Sequence, residues 1–391
     1  MKNSDRVKTS MRDEEITMMN VILTGLNGYG AHFINYLLED DDNEYRLVGV
    51  VSRRPEKSVY YEVLKEKNVH FYSNIEACLE QEEVDLAMIT TPMYIHYQEV
   101  MAALRHGASV LCEKPLTPTV EQALEIKELA KKNGCTVAVG FQWSFSDGIL
   151  NLKKDLLEGK FGKLNQIKTL VNWNRPKRYF EGSDWKGKYY SAEGEGIFDS
   201  VLSNCAAHFI HNLLFLAGEN LHTSAKVSEF GGECYRAHHI ETFDTTSLHI
   251  KTTNQQDLFY YATIVSEENE LPKFEATCEK AKIYYPVGEA QNIVAVLEDG
   301  SEIIYTSPNQ NRYDYFKKVI ECIKMGKRVP CDVETVIPEL ALIGEVMKQI
   351  EVMNFPKEMI LEDEEKIYIK GMSEILDRCY HKELHIGEII K

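Results

Sequence analysis

A short apolar run, MNVILTG, enters a glycine-rich turn, GLNGYG, and leaves it as a helix-like stretch, AHFINYLLEDD. This succession opens the rhythm that most restricts the fold. Four more apolar runs, YRLVGVVS, VDLAMITT, ASVLCEKP and TVAVGF, alternate with segments such as YQEVMAALRHG and TVEQALEIKELAKKNG, whose apolar residues recur every three or four positions. Strands separated by helix-length spacers mean βαβ units and a parallel sheet. After about residue 145 the rhythm changes. LNQIKTLVNW, TSLHIKT, LFYYATIVS, KFEATCEK, AKIYYPV, QNIVAVL and SEIIYTS read as strands in near succession, which predicts a largely antiparallel sheet. One helix interrupts them near 201–217, and RYDYFKKVIECIKMG and TVIPELALIGEVMKQIEV read as later helices. The class is α/β.

Charge and cysteine usage narrow the function. Forty-four Lys and Arg against 61 Asp and Glu leave a net charge of −17. That argues against nucleic acid and against an anionic membrane surface, both of which need clustered positive charge. No uncharged apolar run approaches the roughly 20 residues of a membrane span. The first eighteen residues contain acids and no apolar core, so they do not read as a signal peptide, and a cytoplasmic location is expected. Nine scattered cysteines with no C-x-x-C spacing predict reduced thiols rather than disulfides or a zinc site, and no metal is expected.

Gly25, Gly28 and Gly30 sit where the first strand turns into a helix, with Tyr29 in the same turn. A dinucleotide fingerprint G-x-G-x-x-G aligned on Gly25 and Gly30 puts Asn27 at the middle glycine, where the backbone should approach a pyrophosphate. Asn tolerates unusual dihedrals better than most residues, and the helix start offers N–H groups to phosphate. A tight structural turn is the plainer alternative. The second strand ends in Ser52, Arg53 and Arg54 rather than in the acid that would hold the ribose 2′-hydroxyl of NAD. Ser and Arg suit a 2′-phosphate, which favours NADP over NAD. Otherwise Arg53 and Arg54 are solvated, or stack on adenine without choosing.

Thr91-Pro92, then His96 and its helix, then Glu113-Lys114-Pro115 after the strand Ser109–Cys112 complete a run of the form T-P…H…A-L…G-x-x-V-x-x-E-K-P. This arrangement resembles the Gfo/Idh/MocA oxidoreductases, which include glucose–fructose oxidoreductase and inositol dehydrogenase, over about residues 19–353. The resemblance implies an N-terminal Rossmann parallel sheet and a C-terminal α/β domain built on an open, mostly antiparallel sheet. It implies that Lys114 faces the substrate near the nicotinamide, and that the bond before Pro115 is cis. The parts are then a polar N-terminal extension at 1–18, a dinucleotide-binding domain at 19–144, a substrate and oligomerisation domain at 145–353, and a tail at 354–391 ending in a helix.

The segment Val201 to Gly218 contains no Asp, Glu, Lys or Arg, which marks a mostly buried helix whose polar groups need partners. Asn204, His208 and Asn212 fall four apart, on one stripe, with His211 beside them. Satisfied core polar groups are the plainer reading. The resemblance places D-x-x-x-H of the active site here, implying that His208 is a general base and that Asn204 stands where the family has Asp. Asp199 could supply the missing charge. Upstream lie Trp173, Arg175, Tyr179 and Trp185. Aromatic faces and a fork-shaped donor suit a sugar, and W-x-R-P-x-x-Y is similar to the sugar-handling branch of the family.

The expected activity is NAD(P)-dependent oxidation or reduction at a secondary hydroxyl of a sugar, cyclitol or glycoside, with Lys114 and His208 handling the proton. Two alternatives stay open: a redox-neutral sugar-modifying enzyme with tightly held nucleotide, and a non-catalytic nucleotide sensor. The open sheet face points to a homodimer or homotetramer.

Overall fold

The computed structural model describes residues 18–39, 44–309 and 314–390; the extension at 1–18 lies, apart from Met18, outside the described residues. Six strands form the first sheet: β1 (Met19–Thr24), β2 (Tyr45–Val51), β3 (His70–Tyr72), β4 (Leu86–Ile89), β5 (Ser109–Cys112) and β6 (Val137–Val139). All pairs are parallel, in the order β3-β2-β1-β4-β5-β6. The central strands are apolar along their whole length because helices cover both faces: Leu86–Ile89 and Ser109–Cys112 are buried at every position. Strand order reverses between β1 and β4, and ligands bind open α/β sheets in the crevice beyond such a switch. The glycine turn after β1 and the Thr90–Pro92 segment after β4 flank that crevice.

The second sheet has nine strands: β7 (Leu164–Asn172), β8 (Val227–Arg236), β9 (Thr245–Thr252), β10 (Asp257–Thr263), β11 (Lys273–Cys278), β12 (Ala281–Val287), β13 (Asn292–Leu297), β14 (Glu302–Tyr305) and β15 (Val352–Asn354). Their order is β14-β13-β12-β11-β7-β10-β9-β8-β15. Only β7/β10 and β8/β15 run parallel. The expected α/β class and its two sheets are therefore borne out. Strand β8 was not legible as a strand: Gly231 and Gly232 interrupt it, and only Cys234 and Tyr235 are buried.

Two cores result, one around the parallel sheet and one between the inner face of the second sheet and the helix Ala207–Leu216. The helix Val333–Gln349 joins them. Val336 and Leu340 pack into the first core, and Leu342, Ile343 and Val346 into the second.

The outer face of the second sheet, expected to be open, is covered over much of its width. Beyond Asn354 the chain forms a hairpin (Ile360–Glu362 with Ile367–Ile369) and a helix, Met372–Lys382. Ile367, Ile369, Met372, Leu376 and Tyr380 pack onto Leu170 of β7, Tyr235 of β8 and Phe259 and Tyr261 of β10. The uncovered part lies toward the β14 edge, where cross-strand neighbours Tyr284, Val294 and Ile304 share a face, Val294 being buried and Ile304 63 % exposed. Among the described residues no helix is long and apolar enough to cross a membrane. All nine cysteines are free thiols.

Candidate active site

The turn after β1 shows how the departure at Asn27 is accommodated. Gly30 admits no side chain, because a Cβ there would lie 1.9 Å from the Gly25 carbonyl oxygen. The left-handed backbone falls on Gly28 (φ +63°) and not on Asn27, and the space around Gly28 is open. The position with a left-handed backbone and open space is thus a glycine, one residue after Asn27. Helix Tyr29–Glu39 begins at once and has no acid in its first turn, so its N–H groups remain suited to a phosphate. Thr90 Oγ1 donates to the Thr24 carbonyl (2.7 Å) and holds the two sides of the crevice together.

Beyond the crevice opens a cleft of about 520 Å³. Asn27, Gly28 and Tyr29 line its end at the glycine turn, with Thr91, Pro92, His96, Glu113 and Lys114 on the sheet side. Trp173, Arg175, Tyr179 and Trp185 close it from the second sheet, and Asn204 and His208 complete its floor. Gly25 and Gly30 shape the turn without lining the cleft. Ser52, Arg53 and Arg54 stand apart at the end of β2, both arginines exposed. Sequence reasoning missed Thr90, Met93, Lys186 and Cys205 as lining residues. Lys186 had a signal, since it adjoins Trp185 in the aromatic cluster.

Several of these side chains are braces. His96 is buried, with Nδ1 2.8 Å from the Pro115 carbonyl oxygen and Nε2 2.8 Å from that of Thr91. It therefore ties the segment after β4 to the segment after β5. Burial pushes its pKa down, while the two carbonyls favour the cation. Glu113 accepts from the Tyr315 hydroxyl at 2.8 Å. The Lys114–Pro115 peptide is cis.

Lys114 Nζ donates to the Asn204 side-chain oxygen (2.9 Å) and to the Asn204 carbonyl (2.8 Å). Burial lowers the Lys114 pKa, while Glu113 and Asp199 support its charge. Asn204 Nδ2 donates to Asp199 Oδ1 at 2.8 Å and to the Tyr179 hydroxyl at 3.2 Å. Asp199 also accepts from the Gly187 N–H at 2.5 Å. Burial nevertheless raises the Asp199 carboxyl to about 6, against the hydrogen bonds that stabilise its anion.

The single helix expected over 201–217 is interrupted. Val201–Cys205 is a wide turn in which the Ala206 N–H reaches back five residues to the Val201 carbonyl (2.8 Å). The α-helix starts at Ala207. Asn204 and His208 both still line the cleft, but Asn212 does not. His211 is a core residue. Its ring stacks on Phe141 at 3.9 Å, its nitrogens lie 3.1 Å from Glu339 Oε2 and Ser144 Oγ, and burial takes its pKa down to about 3. His208 meets the edge of Phe141, with ring centres 5.6 Å apart.

The aromatic residues belong to a flap, residues 173–199, that leaves β7 and arches over the cleft. Trp173 is fixed by its indole N–H on the Glu270 carbonyl (3.0 Å) and by an edge contact with Phe209. The far side of the flap rests on helix Met93–Arg105, where Gln98 donates to Glu195 at 2.6 Å.

Comparison with known proteins agrees with this geometry. Residues 19–141 match the GFO_IDH_MocA model, described as an oxidoreductase family with an NAD-binding Rossmann fold. The chain is 24 % identical to scyllo-inositol 2-dehydrogenase (NADP(+)) IolW of Bacillus subtilis over 84 % of this chain and 94 % of that protein. It is 35 % identical to inositol 2-dehydrogenase of Corynebacterium glutamicum over 25 % of this chain and 30 % of that one. Other curated relatives also align over about half of their length or less. The WlbA dehydrogenase of Bordetella pertussis, solved with NADH and UDP-GlcNAcA, shares the fold with a TM-score of 0.68 at 19 % identity, over 85 % of this chain and 96 % of that one. Residues 19–141 thus match this oxidoreductase family, and the strand order, the glycine turn and the E-K-P segment agree with that match.

Proposed function

We propose that the chain oxidises or reduces a secondary hydroxyl of a sugar, cyclitol or glycoside. The observation that carries this reading is the hydrogen-bonded row in which Lys114 and Asn204 line a cleft roofed by Trp173, Tyr179 and Trp185, with Asp199 behind Asn204. The names of the inositol dehydrogenases and the sugar-nucleotide complex of WlbA support the substrate class.

The residues present fit a nicotinamide dinucleotide. Open space at Gly28 admits a pyrophosphate against the backbone, and the start of helix Tyr29–Glu39 faces it with N–H donors. The bound nicotinamide supplies the hydride acceptor or donor. The chain supplies the rest. The Lys114 ammonium donates a hydrogen bond to the reacting oxygen and stabilises negative charge on it. His208 takes or returns the hydroxyl proton at an imidazole nitrogen. Asn204 keeps Lys114 in place, and the flap holds the apolar face of the ring and excludes water. Ser52, Arg53 and Arg54 at the end of β2 support NADP over NAD. A second copy pairing through the sheet would use the uncovered face of β12–β14.

The test is a screen of purified protein with NADP and NAD against cyclitols, aldoses and glycosides, followed at the nicotinamide absorbance band. Turnover that disappears in Lys114→Met while nucleotide still binds supports the reading. Failure to bind either nucleotide sinks it.

A further inference from the structure

The charged side chains lining the cleft are Glu113, Lys114, Arg175 and Lys186. Glu113 is buried and accepts from Tyr315, so the charge presented toward a substrate is positive, in a chain of net charge −17. Asp199 lies behind Asn204, its two oxygens occupied by the Gly187 N–H and the Asn204 amide. Of the other acids of the flap, Asp184, Glu193 and Glu195 lie toward Tyr94, and these three and Glu181 are all outside the cleft lining.

Arg175 and Lys186 are held in an unusual way. Among the described residues neither is ion-paired with a carboxylate. Lys186 Nζ sits 3.8 Å from the centre of the Tyr179 ring and donates to the Tyr179 carbonyl at 2.8 Å. The Arg175 guanidinium lies 5.1 Å from the Trp173 ring and 5.8 Å from the same Tyr179 ring. A ring face fixes a cation through its quadrupole and leaves most of the N–H donors unspent. Two cations gathered on one ring also repel each other. Burial lowers the Lys186 pKa, and Arg175 lowers it further against the support of Asp199. Such a pair is built for an anion that completes it. A guanidinium fork matches the two oxygens of a carboxylate or phosphate, and an ammonium beside it adds a point charge.

We propose that the substrate carries an oxyanion, the carboxylate of a sugar acid or the phosphate of a sugar phosphate, seated between Arg175 and Lys186 at the flap end of the cleft. This rests on the oxidoreductase reading and narrows its substrate to charged sugars. The dinucleotide's own phosphates have a place elsewhere, at the Gly28 turn, because Arg175 and Lys186 come from the flap and not from the parallel sheet.

The test is calorimetric titration of the nucleotide-loaded protein with D-glucuronate, D-glucose 6-phosphate and uncharged D-glucose, with a separate titration of NADP. The expected result is that at least one anion binds about 10-fold or more tightly than glucose, with an advantage that shrinks in high salt. Which anion wins identifies carboxylate or phosphate. Arg175→Gln and Lys186→Gln should each remove most of that advantage while NADP affinity holds. Nucleotide binding with glucose equal to or better than both anions, or with no anion bound, overturns the proposal alone. So does an advantage that survives both substitutions, or NADP affinity that falls with them. These wild-type comparisons stand even where a variant folds poorly. Absence of nucleotide binding overturns the oxidoreductase reading and this proposal with it.

Discussion

Lys114 Nζ and Asn204 Oδ1 are 2.9 Å apart, and the other end of the same amide is 2.8 Å from Asp199 Oδ1. The amide therefore has one sensible orientation, oxygen to the ammonium and nitrogen to the carboxylate. Asn204 couples Lys114 to a carboxylate that it does not itself carry. This is how a site with Asn at position 204, where the family resemblance implies Asp, can keep a negative charge.

The arrangement makes Asn204→Asp a sharp test. Two carboxylates at hydrogen-bond distance resist ionising together, so near neutral pH the new carboxyl and Asp199 would share a proton that leaves only at higher pH. The turnover constant should fall about 10-fold or more near pH 7 and recover part of the loss at higher pH, with nucleotide affinity unchanged. A variant as active as the parent at every pH would show that Asn204 does not bridge.

Lys114→Met and His208→Ala should each lower the rate of hydride transfer by about 10²- to 10⁴-fold, the usual worth of a positioned acid or base. Stopped-flow measurement with saturating nucleotide separates this from binding. Equal loss of rate and of nucleotide affinity in either variant would mean that the side chain holds the dinucleotide instead.

Much of this was legible in the sequence because the information is local. The run MNVILTG–GLNGYG declares a strand, a turn and a helix within a dozen residues, and the E-K-P segment ends a buried strand. The cleft assembled from Lys114, Tyr179 and Asn204 was legible only through the family resemblance, since the three meet by tertiary packing. The wide turn at Val201–Cys205 could not be read from spacing, because a change from four-residue to five-residue closure leaves the apolar pattern intact. Nor could the cover formed by Ile367, Leu376 and Tyr380. Those residues are amphipathic in sequence, but nothing local says which sheet face they meet.

Asp199 gives stability a pH dependence. Burial, its largest influence, raises the folded-state carboxyl from 3.8 to about 6, so the folded chain binds this proton more tightly than the unfolded chain. The contribution favouring the folded state is fully present below about pH 3.8 and is lost as pH rises through about 6. The loss is on the order of 3 kcal/mol for this group. Urea unfolding of wild type and of Asp199→Asn at pH 5 and pH 7.5 isolates it: the fall between the two pH values should shrink in the variant. An identical fall in both chains would assign the dependence to other groups.

Arg53→Ala should weaken NADP by about 10-fold and leave NAD nearly unaffected, because a 2′-phosphate draws on a charge-assisted hydrogen bond that a 2′-hydroxyl does not. Arg53 is exposed, so the substitution should leave the fold untouched. Fluorescence titration with both reduced nucleotides reads the ratio directly. If the two affinities drop together, Arg53 stacks on the adenine and does not discriminate.

The C-terminal cover also reaches the flap. The Lys177 N–H donates to the Glu365 carbonyl at 2.8 Å, its ammonium meets Glu362 at 2.6 Å, and Asn174 Nδ2 donates to the Ile367 carbonyl at 3.0 Å. Lys177 lies between Arg175 and Tyr179, so the hairpin supports the base of the segment that roofs the cleft. Stability and substrate binding should therefore respond to different substitutions. Leu376 is fully buried against the outer sheet face, and Leu376→Ala should cost about 2–5 kcal/mol of stability by leaving a cavity. The turnover constant should stay unchanged while the protein is folded. Lys177→Ala removes a partly exposed ion pair of little weight for stability, and it loosens one tie at the base of the flap while the backbone bond to Glu365 remains. It should raise the KM for the sugar several-fold with nucleotide affinity intact. A KM that ignores Lys177→Ala would show that the flap is positioned by its own packing on Phe209 and helix Met93–Arg105, and that the cover serves the sheet alone.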